Sequence, residues 1–324
     1  MSIPRISVVM ACHNGENYLK ESLDSILAQS FADYEFVIVD DGSTDMSGQI
    51  LADYANSDDR IVLIRNDTCM GLTRSLCTAI GQSRGEYIAR QDADDLSCEN
   101  RLALQQAALD ENNDLVLIGT AQIIIDAMGC AVHYPATIQH DAEIRRLLCH
   151  GNVFAHGSVM FRRDAYERVN GYDERFRCAQ DYELWLRMQH AGQFKVLPEK
   201  LYKWRKLDTS VSATKKELQV AFTLLALLKS DWCNATNSTR LLDAVTVVSQ
   251  RDALAIILNH IETIDDRECY SVMGNALLRC GDLSRSQSYL FRSRKARDVA
   301  KAFVSLNQKT FDLAKKIYCN IQRW

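Results

Sequence analysis

Apolar positions in the first half of the chain alternate between short unbroken runs and stripes of helical spacing. Ile6–Ala11 is an apolar run that predicts a buried strand. Leu19, Leu23, Ile26 and Leu27 then recur at helical spacing, which predicts an amphipathic helix capped by Asn14 and ending near Ala28. By the same reasoning Tyr34–Val39, Ile61–Arg65 and Tyr87–Gln91 read as strands, and Met46–Tyr54, Leu72–Ser83 and Arg101–Glu111 as helices. Strands and helices alternating at this spacing imply right-handed βαβ units and a mostly parallel sheet, an α/β fold.

Beyond Glu111 the rhythm changes. Leu115–Gly119 and Ala121–Ile125 predict two strands separated by one residue, followed by loop and a short helix, so a mixed sheet is expected there. Asp181–Ala191 reads as a helix with Leu184 and Met188 on one face and Gly192 as its stop, and Leu197–Trp204 closes the region. From Lys215 onward the pattern is helical, with the apolar Val220–Leu228, then Ala296, Val299, Ala300 and Phe303, then Phe311, Ala314, Ile317 and Ile321. A boundary near Ala213 divides an α/β domain, residues 1–213, from a helical C-terminal region, residues 214–324.

The composition agrees with a globular protein: of 324 residues 47% are hydrophobic and 25% charged, enough to build a real core. The formal net charge of -4 gives no support to nucleic-acid binding. No stretch approaches the roughly 20 apolar residues that cross a bilayer, and MSIPRISVVM lacks a signal-peptide pattern, so a cytoplasmic location is expected. Eleven cysteines without a C-x-x-C pair argue against a zinc ribbon or a redox dithiol. Charge is uneven: residues 285–324 hold ten Lys/Arg against two Asp/Glu. That basic segment suits peripheral contact with an anionic inner membrane leaflet, and equally a solvated helix surface.

Three polar clusters carry candidate chemistry. Asp40-Asp41-Gly42-Ser43-Thr44-Asp45 follows a predicted buried strand, where open α/β sheets place their ligand crevice; a carboxylate there can accept a nucleobase N–H. The same residues also suit a turn and a helix cap. Asp92-Ala93-Asp94-Asp95 follows the fourth strand, and its three carboxylates in four residues suit a hard divalent cation, which would neutralise diphosphate oxygens. A solvated acidic loop is the alternative. In Gln180-Asp181-Tyr182-Glu183, Asp181 either caps a helix or serves as general base for a hydroxyl nucleophile. His156 stands before an apolar run and is compatible with a structural or a site role. G-x-G-x-x-G, G-x-x-x-x-G-K-[ST] and H-E-x-x-H are absent, leaving dinucleotide, P-loop and zinc-protease chemistry without support.

Residues 6–45 (ISVVMACHNGENYLKESLDSILAQSFADYEFVIVDDGSTD), 85–95 (GEYIARQDADD) and 156–187 (HGSVMFRRDAYERVNGYDERFRCAQDYELWLR) together resemble family 2 glycosyltransferases, over about the first 210 residues. The resemblance implies the GT-A fold, with a nucleotide-binding part of about residues 1–98 and an acceptor part of about 99–213. It implies transfer of a sugar from a nucleotide-diphosphate sugar to a glycan or lipid-linked glycan acceptor, with inversion, and a divalent metal, Mn2+ or Mg2+. On the family pattern Ala11 lines the base pocket, Asp41 binds the nucleobase with support from Asp40, and Arg74 approaches the nucleotide. Asp92–Asp95 matches the D-x-D motif, Asp92 and Asp94 meeting the nucleotide sugar, with Asp94 the first and Asp95 the second choice of metal ligand. Asp181 matches the catalytic base, and His156 and Arg205 are candidate acceptor or phosphate contacts. Two positions depart from the pattern: the acidic residue before the base is Gln180 here, and the His common between Arg205 and the Ser210-Val211-Ser212 triplet is missing. A uridine or thymidine donor and a role in lipopolysaccharide, capsule or other surface-glycan synthesis follow as expectations. A sugar nucleotidyltransferase is the competing enzyme, but the segment Ala11-Cys12-His13-Asn14-Gly15 is poor in the glycines that such a phosphate loop needs. A non-catalytic sugar-nucleotide-binding protein is the third reading, and the intact Asp94 and Asp181 argue against it.

Overall fold

The computed structural model of the chain describes residues 3–149, 151–208, 210, 214–230 and 257. It divides into two compact units, the first formed by Met1–Ile144 and Val153–Leu207. The elements of that unit are the strands β1 (Ile6–Cys12), β2 (Tyr34–Asp40), β3 (Ile61–Arg65), β4 (Tyr87–Arg90), β5 (Leu96–Ser97), β6 (Leu115–Ile125), β7 (Ala131–His133), β8 (Met160–Arg162) and β9 (Gln193–Arg205). Its helices are α1 (Leu19–Leu27), α2 (Ser47–Ser57), α3 (Leu72–Gln82), α4 (Arg101–Glu111), α5 (Asp141–Leu148, whose last turn belongs to the second unit), α6 (Arg163–Arg168) and α7 (Gln180–Met188).

The strands form one mixed sheet in the order β3-β2-β1-β4-β8-β6-β9-β5, with β7 paired to β6. β1 is parallel to β2 and β4, and β2 to β3. β8 runs antiparallel between β4 and β6, and β6 pairs in parallel with β9. Both faces of the parallel half are covered, which is why ISVVMAC and YEFVIVD read as apolar runs rather than alternations. Ile6, Val8, Met10, Phe36 and Ile38 project to one face and pack with Leu19, Leu23 and Ile26 of α1 and Leu102 and Leu109 of α4. α3 packs on β1 and β2 and buries Leu76, Ala79 and Ile80.

The register aligns the strand ends. Cys12 lies beside Asp40, and Val9 beside Arg90, so β1, β2 and β4 release their chains at the same edge of the sheet. That edge is where carboxyl ends of parallel strands form ligand crevices.

Several sequence expectations are corrected. Asn14 does not cap α1, which begins at Leu19; it sits in the left-handed region with φ 53 and binds a neighbouring loop instead. Leu115–Ile125 is one eleven-residue strand rather than two, because Thr120 continues it and the irregularity is taken up as register shifts against β9. β9 starts at Gln193, and its partner register jumps from Leu197 to Lys200 between Thr120 and Ala121. Pro198 and Glu199 fall in that jump, so the proline occupies a bulge and removes no ladder hydrogen bond. β8 was not foreseen, since three residues between a 3₁₀ turn and a helix show no period.

Of the second unit, the described part includes α8 (Lys216–Lys229), in which Val220–Leu228 takes the predicted helical form with most of its side chains buried. The helical stretches expected around Ala296–Phe303 and Phe311–Ile321, and the basic segment 285–324, lie outside the described residues.

Candidate active site

Two loops leave the aligned edge from β1 and β2 and are laced together by polar side chains. The amide of Asn14 donates to Ser43 Oγ (3.1 Å), and Asn14 Oδ1 accepts from the amide of Thr44 (2.8 Å). The amide of Gly15 donates to Ser47 Oγ and that of Met46 to Glu16 Oε2, each at 2.8 Å. Ala11, partly exposed, stands where β1 runs into this joint. Asp40 is buried, and its Oδ1 accepts from the Ser43 amide (3.1 Å).

Asp41, 2% exposed, is bound on both oxygens. Oδ1 accepts from Asn66 Nδ2 and the Met70 amide, and Oδ2 from the Gly71 amide, all at 2.8 Å; Cys69 Sγ lies 3.4 Å from Oδ2. Burial pushes this carboxyl up, but the hydrogen bonds from Asn66, Met70 and Gly71 outweigh it and hold it below the usual carboxylate range. Asp41 therefore stays charged and fixes the 66–71 loop beside the crevice. Gly42, at φ 67, passes so close to Thr68 and Cys69 that a Cβ would strike their backbone. Arg74, further along on α3, is half-exposed and faces Glu174 (Nε to Oε2 3.6 Å).

β4 delivers the acidic loop. Arg90, fully buried, donates to the Gln91 carbonyl and, through Nη2, to Asp92 Oδ1 at 2.6 Å. Gln91 Nε2 holds the Asp95 carbonyl at 2.8 Å. Asp95 is itself buried, its Oδ2 accepting from the Tyr202 hydroxyl (2.8 Å) and its Oδ1 from the Arg205 amide (2.7 Å). Burial, with the charges of Asp92 and Asp94, pushes the Asp95 carboxyl well above its ordinary value. The Asp94 carboxyl is pushed up to about 6, first by burial and then by Asp92. No donor from another described residue reaches the Asp94 side chain, whereas Asp92 and Asp95 are tied to Arg90, Tyr202 and the β9 backbone.

Crowded carboxylates of raised pKa are a setting that a hard cation relieves. Among the described residues no three His, Cys, Asp or Glu side chains converge in a metal-holding geometry. A cation held here would take one or two of these carboxylates, Asp94 first, since no donor from another described residue engages it.

His156 opens the 3₁₀ turn before β8 and its Nε2 lies 2.7 Å from the Tyr172 hydroxyl. Burial, then the Arg90 charge, holds the imidazole well below its usual value, and burial raises the Tyr172 phenol. The imidazole is thus held neutral, and it shares one hydrogen bond with the phenol. The ring also meets Trp185 of α7 edge-on at 6.3 Å. Asp181 lies in the first turn of α7, after Ala179 in the left-handed region with φ 52. Its charge reaches the Tyr172 phenol, as Arg90's does. Glu183 is buried and forked onto Arg187 (2.7 and 2.5 Å), a structural pair.

Arg205 was expected as an acceptor or phosphate contact, yet the structure buries it (1% exposed) and directs its guanidinium to groups of its own chain. Sequence reading missed Arg90, Gln91, Arg101, Gly157 and Tyr202. Arg101 donates to the Gly157 carbonyl (2.7 Å) and the Arg90 carbonyl (2.8 Å), and a Cβ on Gly157 would overlap the Tyr202 hydroxyl. The available signal was an arginine ending the otherwise apolar strand Tyr87–Arg90, two residues before the acidic Asp92.

The mixed sheet with an acidic loop at its strand ends is the GT-A fold. Solved structures share it: residues 1–349 of S. aureus TarS in complex with UDP-GlcNAc superpose with a TM-score of 0.59 at 17% identity, covering 89% of this chain and 85% of that one. The mannosyltransferase PcManGT from Pyrobaculum calidifontis, in complex with GDP-Man and Mn2+, gives 0.54 at 16% identity over 99% and 85%. The family model of glycosyl transferase family 2 matches residues 7–169, and the chain belongs to that family. Among its relatives, the putative glycosyltransferase EpsE of Bacillus subtilis (strain 168) is 38% identical over 206 residues, 62% of this chain and 73% of EpsE. The O-antigen biosynthesis glycosyltransferase WbnJ of Escherichia coli is 33% identical over 184 residues, 56% of this chain and 71% of WbnJ.

Proposed function

We propose that this glycosyltransferase moves a hexosyl or related sugar from a UDP- or dTDP-linked donor to an acceptor hydroxyl, inverting the anomeric carbon with a divalent metal present, in the synthesis of a surface glycan. The observation that carries the reading is the Asp94 carboxylate. It is raised to about 6 and has no donor from another described residue, in a loop that leaves the sheet at the same edge as the Asp41 loop.

In this reading the nucleoside lies between the loops after β1 and β2, with Ala11, Asp40 and the 66–71 segment around the base and Arg74 toward the phosphates. Asp41 keeps that segment in place, and its bound oxygens admit a base N–H by sharing or displacement. Asp92 and Asp94 face the donor, and a metal on Asp94, with Asp95 next in line, would neutralise the diphosphate charge. The acceptor hydroxyl gives its proton to Asp181 as its oxygen bonds to the anomeric carbon and the bond from that carbon to the diphosphate breaks, the nucleoside diphosphate leaving with the electron pair; the base is needed because a neutral hydroxyl is a weak nucleophile. Gln180 beside it cannot take a proton, and Glu183 is committed to Arg187.

The UDP-GlcNAc complex of TarS, the GDP-Man and Mn2+ complex of PcManGT and the O-antigen role in WbnJ's name support donor, metal and pathway class in turn. A glycan or lipid-linked glycan is the acceptor. No helix among the described residues is long and apolar enough to cross a membrane. A thermal-shift screen of nucleotide sugars with Mn2+ tests the donor: a ligand at 100 times its Kd stabilises by about 2.7 kcal/mol. A shift with UDP or dTDP sugars is expected; a shift with GDP sugars alone would overturn the base assignment.

A further inference from the structure

Arg205 ends β9, and its guanidinium joins three segments far apart in sequence. Nε donates to the Asp94 carbonyl at 2.8 Å. Nη1 donates to the carbonyls of Asp126 (3.3 Å) and Ala127 (3.1 Å), at the turn between β6 and β7. Nη2 meets Glu21 Oε2 of α1 at 2.7 Å, and the plane lies over the Tyr18 ring, 4.4 Å from its centre. The Arg205 amide meanwhile holds Asp95 Oδ1 (2.7 Å).

That hairpin turn is itself closed: Asp126 Oδ1 accepts from the amides of Met128 and Cys130, each at 2.9 Å. It displays Met128 (86% exposed), Val132 and Tyr134 to the outside. The acidic loop and the exposed hairpin thus share one buried cation, and the fork geometry of arginine is what reaches all of these acceptors at once.

We propose that Arg205 is a positioning residue that sets the backbone of the acidic loop against the β6–β7 hairpin, so that the two segments hold or lose their places together. Its guanidinium is committed to groups of its own chain. Its effect on donor binding rests on the reading of Asp94 as the donor-side carboxylate; the mechanical coupling does not. Lysine at this position keeps the charge but offers one nitrogen in place of three, so it cannot reach the Asp94 carbonyl, the hairpin carbonyls and Glu21 together.

The test pairs amide hydrogen exchange with calorimetric binding of UDP in the presence of Mn2+, on Arg205→Lys and, as a milder variant that removes the charge of one surface partner but keeps an acceptor oxygen, Glu21→Gln. Exchange at residues 94–95 and at 126–130 should rise together, about tenfold or more in Arg205→Lys and less in Glu21→Gln. UDP should bind about tenfold more weakly to Arg205→Lys. Faster exchange in only one of the two segments, or unchanged exchange in both variants, overturns the coupling. If Arg205→Lys fails to fold, Glu21→Gln still decides, since its effect must appear in both segments. Wild-type protein that ignores UDP would sink the donor reading while leaving the exchange result to judge the coupling.

Discussion

The Tyr202 hydroxyl donates to Asp95 Oδ2 at 2.8 Å across 107 residues of sequence, and Gly157 lies directly beneath that contact. β9 thereby holds the last carboxylate of the acidic loop. Gly157→Ala places a methyl group where the Tyr202 oxygen stands, and overpacking of this kind costs about 3 kcal/mol. Tyr202→Phe removes the buried hydrogen bond to Asp95 and the acceptor of the Asp92 amide (3.3 Å), about 1.5–3 kcal/mol. The double variant should lose less than the sum of the two, because Phe vacates part of the space that Ala needs. Urea denaturation of the four proteins checks this; strict additivity would separate the glycine from the tyrosine.

Asp181→Asn retains size and hydrogen bonding but not basicity. Turnover should fall by about 10²–10⁴-fold with donor binding nearly unchanged. Ala179, not Asp181, is the N-cap of α7, and were Asp181 only a structural carboxylate of the first turn, Asn would replace it with little loss. Steady-state kinetics on the donor that turns over, together with the anomeric configuration of the product by NMR, decides the matter; retention of configuration contradicts single displacement.

Asp41→Ala should weaken UDP binding about tenfold, or about 1.4 kcal/mol. It releases the Asn66 amide and the Met70 and Gly71 N–H groups that shape the crevice wall. Calorimetry giving an unchanged Kd would remove this loop from the nucleotide site.

Glu35 sets a pH dependence of stability. Burial pushes its carboxyl up, and hydrogen bonds from Ser7 and Arg84 outweigh that, so it sits below the ordinary glutamate value. A depressed pKa contributes stability that is complete above the unfolded value, about 4.3, and disappears as pH falls through the folded value. Glu35→Gln should therefore cost about 1–2 kcal/mol near neutral pH. The gap from wild type should close toward pH 3. A gap that widens on acidification would reverse the assignment.

The first four strands and the helices between them were legible because burial on both faces leaves unbroken apolar runs, and Ile61–Arg65 and Arg101–Glu111 fall at the predicted bounds. The acidic clusters were legible because like charges in sequence need a reason to converge. β8 and the first half of β9 were not, since β8 is three residues long and β9 carries Pro198 in a bulge. The buried scaffold of the site was hidden for another reason. Arg90 and Arg101 look like surface residues in sequence and Arg205 like a ligand contact, and only long-range pairing shows that their charges and donors are spent on the acidic loop and its supports.

The most direct measurement is calorimetric binding of UDP to wild type and Asp94→Ala, each with Mn2+ and with excess chelator. The account predicts tight binding only for wild type with Mn2+, at least tenfold weaker binding with chelator, and equally weak binding to Asp94→Ala in both conditions. Equal affinity of wild type and Asp94→Ala, or of wild type with and without metal, would contradict it.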